Sequence, residues 1–239
     1  MTILLLGKDG QVGWQLQRSL APHGAVVACG RAQCDLADPA QIRSVVRTVR
    51  PSVIVNATAY TAVDRAESEP ELAHRINAEA PGVLAEEAAM LDALLVHYST
   101  DYVFDGSKAT PYVETDPSAP PGVYGRTKLA GEEAIRAVGG RSLIFRTSWV
   151  FGARGENFVK TILRLARDKE TLNVVDDQIG APTPAALIAT VTGVALAMLR
   201  CGQPEKTAKN QSRLYHLAAA RPVSWCEFAR TIVQLAEQT

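Results

Sequence analysis

The sequence predicts an α/β fold: a doubly wound parallel sheet with helices on both faces and a smaller, interleaved substrate-binding lobe. Short aliphatic runs alternate with longer segments of helical period through the first 168 residues. That rhythm is the mark of strands linked by crossover helices. The aliphatic runs are continuous rather than alternately apolar and polar, as strands buried on both faces are. At 239 residues the chain is long enough for one substantial core.

The elements follow in order. "TILLLG" (2–7) reads as the first strand and "GWQLQRSLA" (13–21) as its helix, then "AVVAC" (25–29) with "QIRSVVRTV" (41–49). "SVIVNA" (52–57) is followed by "PELAHRINAEAPGVLAEEAAM" (70–90), "ALLVHYS" (93–99) by "GRTKLAGEEAIRAV" (125–138), and "SLIFRTSW" (142–149) by "NFVKTILRLARD" (157–168). The proline-rich "PYVETDPSAPP" (111–121) reads as an ordered loop, because helical and strand signals resume at once. Beyond Trp149 the rhythm loosens: a strand "TLNVV" (171–175), the loop "DDQIGAPT", a helix, a strand "LYHLAAA" (214–220) and a last helix "SWCEFARTIVQLAEQ" (224–238). Residues 1–150 and 181–220 are therefore expected to form the dinucleotide-binding body, and 151–180 with 221–239 the substrate-binding lobe.

Charge and cysteine usage narrow the function. The 25 basic and 25 acidic residues cancel, which argues against nucleic acid, an anionic membrane or a polyanion as partner. Cysteines at 29, 34, 201 and 226 lack metal-ligand spacing and are expected to be reduced. No secretory leader is recognisable, and the longest apolar tract, "LIATVTGVALAML" (187–199), is short of a membrane span. A cytoplasmic protein is expected.

Gly7, Gly10 and Gly13 stand as G-x-x-G-x-x-G where the first strand turns into the first helix. In a Rossmann dinucleotide site such glycines allow a tight turn, close approach of a pyrophosphate and close helix packing, and the helix N-terminus supplies N–H donors. The competing reading is an ordinary glycine-rich turn. After the second strand, "CGRAQCDL" offers Arg31, with Asp35 and Leu36 beyond it. An arginine suits a 2′-phosphate, so NADPH is the favoured cofactor and NADH the alternative; a solvated loop arginine is the bland reading.

Tyr124 and Lys128 form Y-x-x-x-K, a spacing that puts both on one helix face. A lysine charge beside the phenol is expected to lower its pKa, so that the tyrosine can pass a proton to a developing alkoxide. One loop earlier, in "YSTDYVFDG" (98–106), Thr100 offers a hydroxyl to a carbonyl oxygen. Asp101 and Asp105 read as turn or cap residues; Tyr102 and Phe104 line the cleft or belong to the core.

With these residues in view, the chain resembles the extended short-chain dehydrogenase/reductases, and most closely the dTDP-4-dehydrorhamnose reductases. The resemblance runs to about residue 235 and rests on "GKDGQVGWQLQ", "NATAYTAVDRAESEPELA", "HYSTDYVFDG", "YGRTKLAGEE", "IFRTSWVFG", "NFVKTILRLA" and "DDQIGAPT". It implies reduction of the 4-keto group of dTDP-6-deoxy-L-lyxo-4-hexulose by a nicotinamide cofactor to dTDP-L-rhamnose, for cell-surface polysaccharide. It also implies Thr100, Tyr124 and Lys128 as the catalytic group, and Thr61, Val63, Tyr102 and Trp149 as contacts to the sugar nucleotide. Gly7, Gly10, Gln11, Val12 and Gly13 are implied at the cofactor phosphates, with Arg31, Asp35, Leu36, Ala57, Ala59, Tyr124 and Lys128 completing the cofactor set.

Two departures accompany the resemblance. Family chains continue past "LAEQT", so a shortened C-terminal lobe is expected. Some relatives bridge magnesium at a dimer contact through glutamates, where this chain has Gln15 and Ala186; a neutral amide is a poor ligand for a hard cation, and no metal requirement is expected. A homodimer is left open. The competing functions are a non-catalytic dinucleotide-binding regulatory subunit of the same fold, and a sugar-nucleotide epimerase or dehydratase.

Overall fold

The computed structural model describes residues 1–201 and 212–238. Five of the six main strands come from the aliphatic runs: β1 (Thr2–Leu6), β2 (Ala25–Cys29), β3 (Val53–Asn56), β4 (Leu94–Thr100) and β5 (Ser142–Thr147). Four short strands and a sixth long one follow, as β6 (Val150–Phe151), β7 (Ile179–Gly180), β8 (Thr183–Pro184), β9 (Ser212–His216) and β10 (Val223–Ser224). The helices are α1 (Gln11–Leu20), α2 (Pro39–Val49), α3 (Val63–Ala66), α4 (Pro70–His74), α5 (Ala80–Met90), α6 (Val123–Val138), α7 (Phe158–Asp168), α8 (Ala185–Cys201) and α9 (Trp225–Glu237). A π-helical turn, Arg75–Glu79, joins α4 to α5.

The main sheet is parallel throughout, in the order β2-β1-β3-β4-β5-β9. The order reverses between β1 and β3, so their C-terminal ends splay into the crevice where open α/β sheets bind ligands. Alternate residues of each strand serve different layers. Leu4, Leu6, Ile54, Leu95 and Ile144 pack against α2, α5 and α6, whereas Ile3, Leu5, Val55, Val96 and Phe145 pack against α1 and α8. The apolar tract 187–199 thus packs one face of α8 into the second layer, and no helix among the described residues is long and apolar enough to cross a membrane.

After Thr147 the chain leaves the sheet at Trp149, whose φ is 45°. A separate cluster forms where α7 and α9 meet, built on Ile162, Ala229 and Ile232 with Phe158, Leu172, Val174 and Phe228 against it. The expected strand 171–175 is not one. Its Leu172 and Val174 turn into this cluster as a loop, because no sheet edge runs beside them; pairing occurs further on, between β7 and β10. Similarly, the strand expected over 214–220 ends at His216. Cys29, Cys34 and Cys226 are free thiols, and the side chain of Cys201 lies outside the described residues, as do positions 202–211 of the expected body.

Candidate active site at the carboxyl ends of the strands

The glycine-rich turn performs the packing its sequence predicts. Gly7 has φ +85°, and a Cβ there would stand 2.7 Å from Thr58 Cγ2. A Cβ on Gly13 would come within 1.9 Å of the Gly7 carbonyl oxygen, so only glycine lets α1 approach β1 this closely. Gly10 is the N-cap of α1 and adds no side-chain cap, leaving the first-turn N–H groups turned to the crevice. Gln11 ties the turn to the later chain: its Nε2 donates to the Val150 carbonyl at 3.4 Å, and its Oε1 accepts from Asn157 Nδ2 at 2.9 Å.

Above this turn lies a cavity of about 630 Å³. Gly7, Gly10, Gln11, Val12, Arg31, Asp35, Leu36, Ala57, Ala59, Thr61, Tyr124 and Lys128 all line it. Gly13 lies beneath it as a packing residue. Arg31 forms an i, i+4 ion pair with Asp35 at 3.3 Å while its side chain stays 78% exposed. Such a pair is weak and releases the guanidinium at little cost.

Tyr124 and Lys128 ride on α6, whose buried face carries Gly125, Thr127, Lys128, Gly131, Glu132 and Ile135 at helical spacing. Glu67, from the "AESEP" segment, accepts the Val123 N–H at 2.7 Å and so places a carboxylate on the N-terminus of α6. Asn77, in the π-turn, accepts from Tyr60 N at 2.8 Å and donates to Tyr60 O and Thr127 Oγ1, binding the 57–62 loop to the same helix. The segment 56–73 therefore helps set where α6 begins and how it sits.

The electrostatics differ from the sequence expectation. Burial pushes the Tyr124 phenol up to about 12; the Thr100 hydroxyl pulls it the other way, and the Asp101 charge pushes it up further. Lys128 does not lower it here. The amine, only 1% exposed, donates to the Tyr98 carbonyl at 2.7 Å and lies 3.3 Å from His97 Nε2. Burial brings Lys128 down to about 8, against the opposing pull of Glu132. Thr100 is buried, donating to Asp101 Oδ1 at 3.1 Å and accepting from Tyr102 N at 3.2 Å. Burial also raises Asp101 to about 6, so this residue is more than a solvated turn former. Asp105 does act as a turn residue, accepting from Ser107 N at 3.0 Å.

Tyr102 packs edge-on to Tyr124 with ring centroids 5.5 Å apart, and the Asp64 charge from α3 reaches its phenol, so the helix that starts at Val63 borders the same spot. Phe104 belongs to the core, stacked on Tyr112. Trp149 lies outside the cavity lining, flat against Trp225 at 3.5 Å, where it joins the sheet to the α7–α9 cluster. Among the lining residues that sequence reasoning missed are Ser99, Thr147, Gly155 and Glu156. Ser99 stood in the quoted "YSTDYVFDG"; the others carry no local signal.

The donor set fits a nicotinamide dinucleotide. Ser99 Oγ and Thr147 Oγ1 are buried polar atoms without a partner, both in residues that line the cavity. Over all of residues 1–239 the chain matches the family model described as RmlD substrate binding domain. It is 49% identical over 233 residues to the dTDP-4-dehydrorhamnose reductase of Burkholderia thailandensis, covering 98% of this chain and 78% of that protein. The chain belongs to the dTDP-4-dehydrorhamnose reductase family. The Escherichia coli K12 member is 46% identical over 246 residues, with 79% of its length covered. Among solved family structures, that from Bacillus anthracis in complex with NADP superposes with a TM-score of 0.89 at 35% identity, over 99% of this chain and 80% of that one. The fold extends beyond the family: the UDP-glucose 4-epimerase of Thermus thermophilus, complexed with NAD, gives a TM-score of 0.82 at 16% identity over 99% of this chain and 84% of that one. Among the described residues no cluster of three or more metal-ligating side chains occurs.

Proposed function

We propose that this chain is an NADPH-dependent reductase of a dTDP-linked 4-keto-6-deoxy sugar, converting dTDP-6-deoxy-L-lyxo-4-hexulose to dTDP-L-rhamnose. The observation that carries the reading is the meeting of Tyr124 and Lys128 with the glycine turn and Arg31 in one cavity. The bound cofactor supplies the hydride that adds to C4 of the sugar. Gly7, Gly10, Gln11, Val12 and the first-turn N–H groups of α1 hold its phosphates; Arg31 meets the 2′-phosphate; Ala57, Ala59 and Leu36 bound its adenosine half, with Asp35 releasing Arg31.

Thr100 holds the C4 oxygen through its hydroxyl, which must first leave Asp101 Oδ1, and Tyr124 gives that oxygen its phenolic proton as the C4–H bond forms. The phenolate left behind shares a helix face with Lys128, whose charged form stabilises it once the amine turns from the Tyr98 carbonyl, until a solvent proton restores the phenol. A phenol held near 12 keeps its proton until an alkoxide, a stronger base, develops beside it. Thr61, Val63, Tyr102 and Trp149 make the sugar-nucleotide contacts; for Trp149 this requires leaving the face of Trp225. The division into a dinucleotide-binding body and a lobe built on α7 and α9 belongs to the same reading. So does a homodimer, for which the exposed Val194 and Met198, one turn apart on α8, offer an apolar surface; sedimentation velocity measures it.

The test is NADPH oxidation, followed at the reduced nicotinamide absorbance, with enzymatically prepared dTDP-6-deoxy-L-lyxo-4-hexulose. Turnover with formation of dTDP-L-rhamnose supports the reading; tight NADPH binding without turnover defeats it.

A further inference from the structure

Behind the cavity wall runs a chain of buried polar groups that the reaction above does not use. Asn56 and His97 are Cα partners in the β3–β4 register, so their side chains emerge on the same face of the sheet, the face α6 covers. Both are almost fully buried. The Thr58 N–H donates to Asn56 Oδ1 at 3.1 Å, and the Thr58 hydroxyl donates to the same oxygen. That backbone donor settles the amide orientation and leaves Asn56 Nδ2 facing His97 Nδ1 at 3.2 Å.

The rest follows from counting protons. A ring nitrogen that receives an N–H must be bare, so neutral His97 carries its proton on Nε2, 3.3 Å from Lys128 Nζ. A neutral amine satisfies everything: it accepts from Nε2–H and donates to the Tyr98 carbonyl. An ammonium would set N–H against N–H. Reversing the His97 tautomer would only move that clash to Asn56, and turning the amide would move it to Thr58.

We propose that Asn56 and His97 are positioning residues for Lys128: Asn56 locks the His97 tautomer, and His97 holds Nζ as a hydrogen-bond acceptor beside the Tyr98 carbonyl. The other ionisable groups around Lys128 do not replace this control. Glu132 on the same helix is held by Arg146 of β5 at 2.7 Å and by Arg136 at 2.9 Å. Asp101 acts on Tyr124, and Asn77 is neutral. His97 itself is kept neutral chiefly by burial. Alongside burial, the pair therefore influences the pH above which Lys128 ceases to support the Tyr124 phenolate. This consequence rests on the reaction proposed above; the tautomer does not.

Asn56→Asp is the discriminating variant, because its shape is unchanged and both its oxygens accept. One oxygen keeps the Thr58 N–H, and the other draws the ring proton to Nδ1. Nε2 then becomes an acceptor for an ammonium. The measurements are ¹⁵N NMR of the histidine rings and ¹³C NMR of the lysine side chains in the ligand-free full chain, from pH 7 to 11, with the pH profile of kcat alongside. We expect wild-type His97 as the Nε2–H form at pH 9. In the variant we expect the Nδ1–H form and a Lys128 midpoint about one pH unit higher, a tenfold change in its proton equilibrium, with the alkaline limb of kcat moved equally. Wild-type His97 protonated on Nδ1 at pH 9 would overturn the proposal, whether or not the variant folds. So would a folded variant with an unmoved Lys128 midpoint. Failure of turnover with the expected tautomer would count against the reaction instead.

Discussion

Replacing Lys128 by methionine is expected to change how stability depends on pH more than stability itself. The side chain is buried against His97 and the Tyr98 carbonyl, and burial brings its pKa from 10.5 to about 8. At 1.36 kcal/mol per pH unit, that fall corresponds to about 3 kcal/mol of unfavourable burial when the amine is charged. The sign follows from the two states. Between pH 8 and 10.5 the unfolded chain still holds a proton that the folded chain has released, so raising the pH favours the folded form. Below pH 8 both states hold the proton and the whole penalty is present; above 10.5 neither does and it is gone. Lys128→Met, with similar volume and no charge, lacks this window. Urea unfolding of both proteins at intervals from pH 7 to 10.5 should show wild-type stability rising on the variant by about 3 kcal/mol, the cysteines and tyrosines being common to both. Parallel curves would refute the claim that a charged lysine is costly at this site.

Four further outcomes are expected. Tyr124→Phe should lose roughly 10²- to 10⁴-fold in turnover while keeping NADPH affinity, measured by stopped-flow turnover and by fluorescence titration, since only the proton donor is lost. Arg31→Ala should raise the KM for NADPH at least tenfold and leave that for NADH within about twofold, because a charge-assisted contact to a 2′-phosphate contributes about 1.5–3 kcal/mol. Gly13→Ala puts a methyl group 1.9 Å from the Gly7 carbonyl oxygen and should lower stability by about 3 kcal/mol, read from thermal unfolding, with weaker cofactor binding. EDTA should leave activity unchanged, since Gln15 and Ala186 offer no carboxylate; loss of rate and its rescue by magnesium would contradict this.

The inner strands of the main sheet were legible because burial on both faces leaves an unbroken aliphatic run, and Y-x-x-x-K because helical spacing is rigid. "TLNVV" misled for a related reason: its alternation also suits a loop laid across the α7–α9 cluster, and nothing local says whether a sheet edge runs beside it. About half of the cavity lining, from Gly7 to Lys128, was named from motifs and the family resemblance. The state of Tyr124 and Lys128 was not, because a pKa depends on what covers a group, and His97 and the Tyr98 carbonyl belong to a different strand. Trp149 shows the same limit, since its place against Trp225 depends on a contact 76 positions away.

The strand order has one more consequence. Because the sheet ends at β2, the chain from Gly30 to Asp38 runs into α2 without a further strand beside it. What shapes this stretch is side-chain clasps: Gln33 Oε1 on the Gly30 N–H, Gln41 on the Asp35 N–H, and Asp38 on the first turn of α2. The residues proposed to meet the far end of the dinucleotide are thus mounted on a clip rather than on the frame. These nine positions can be rewritten without disturbing a single rung of the β-ladder, which on the proposed reading makes them the place to exchange one coenzyme for the other.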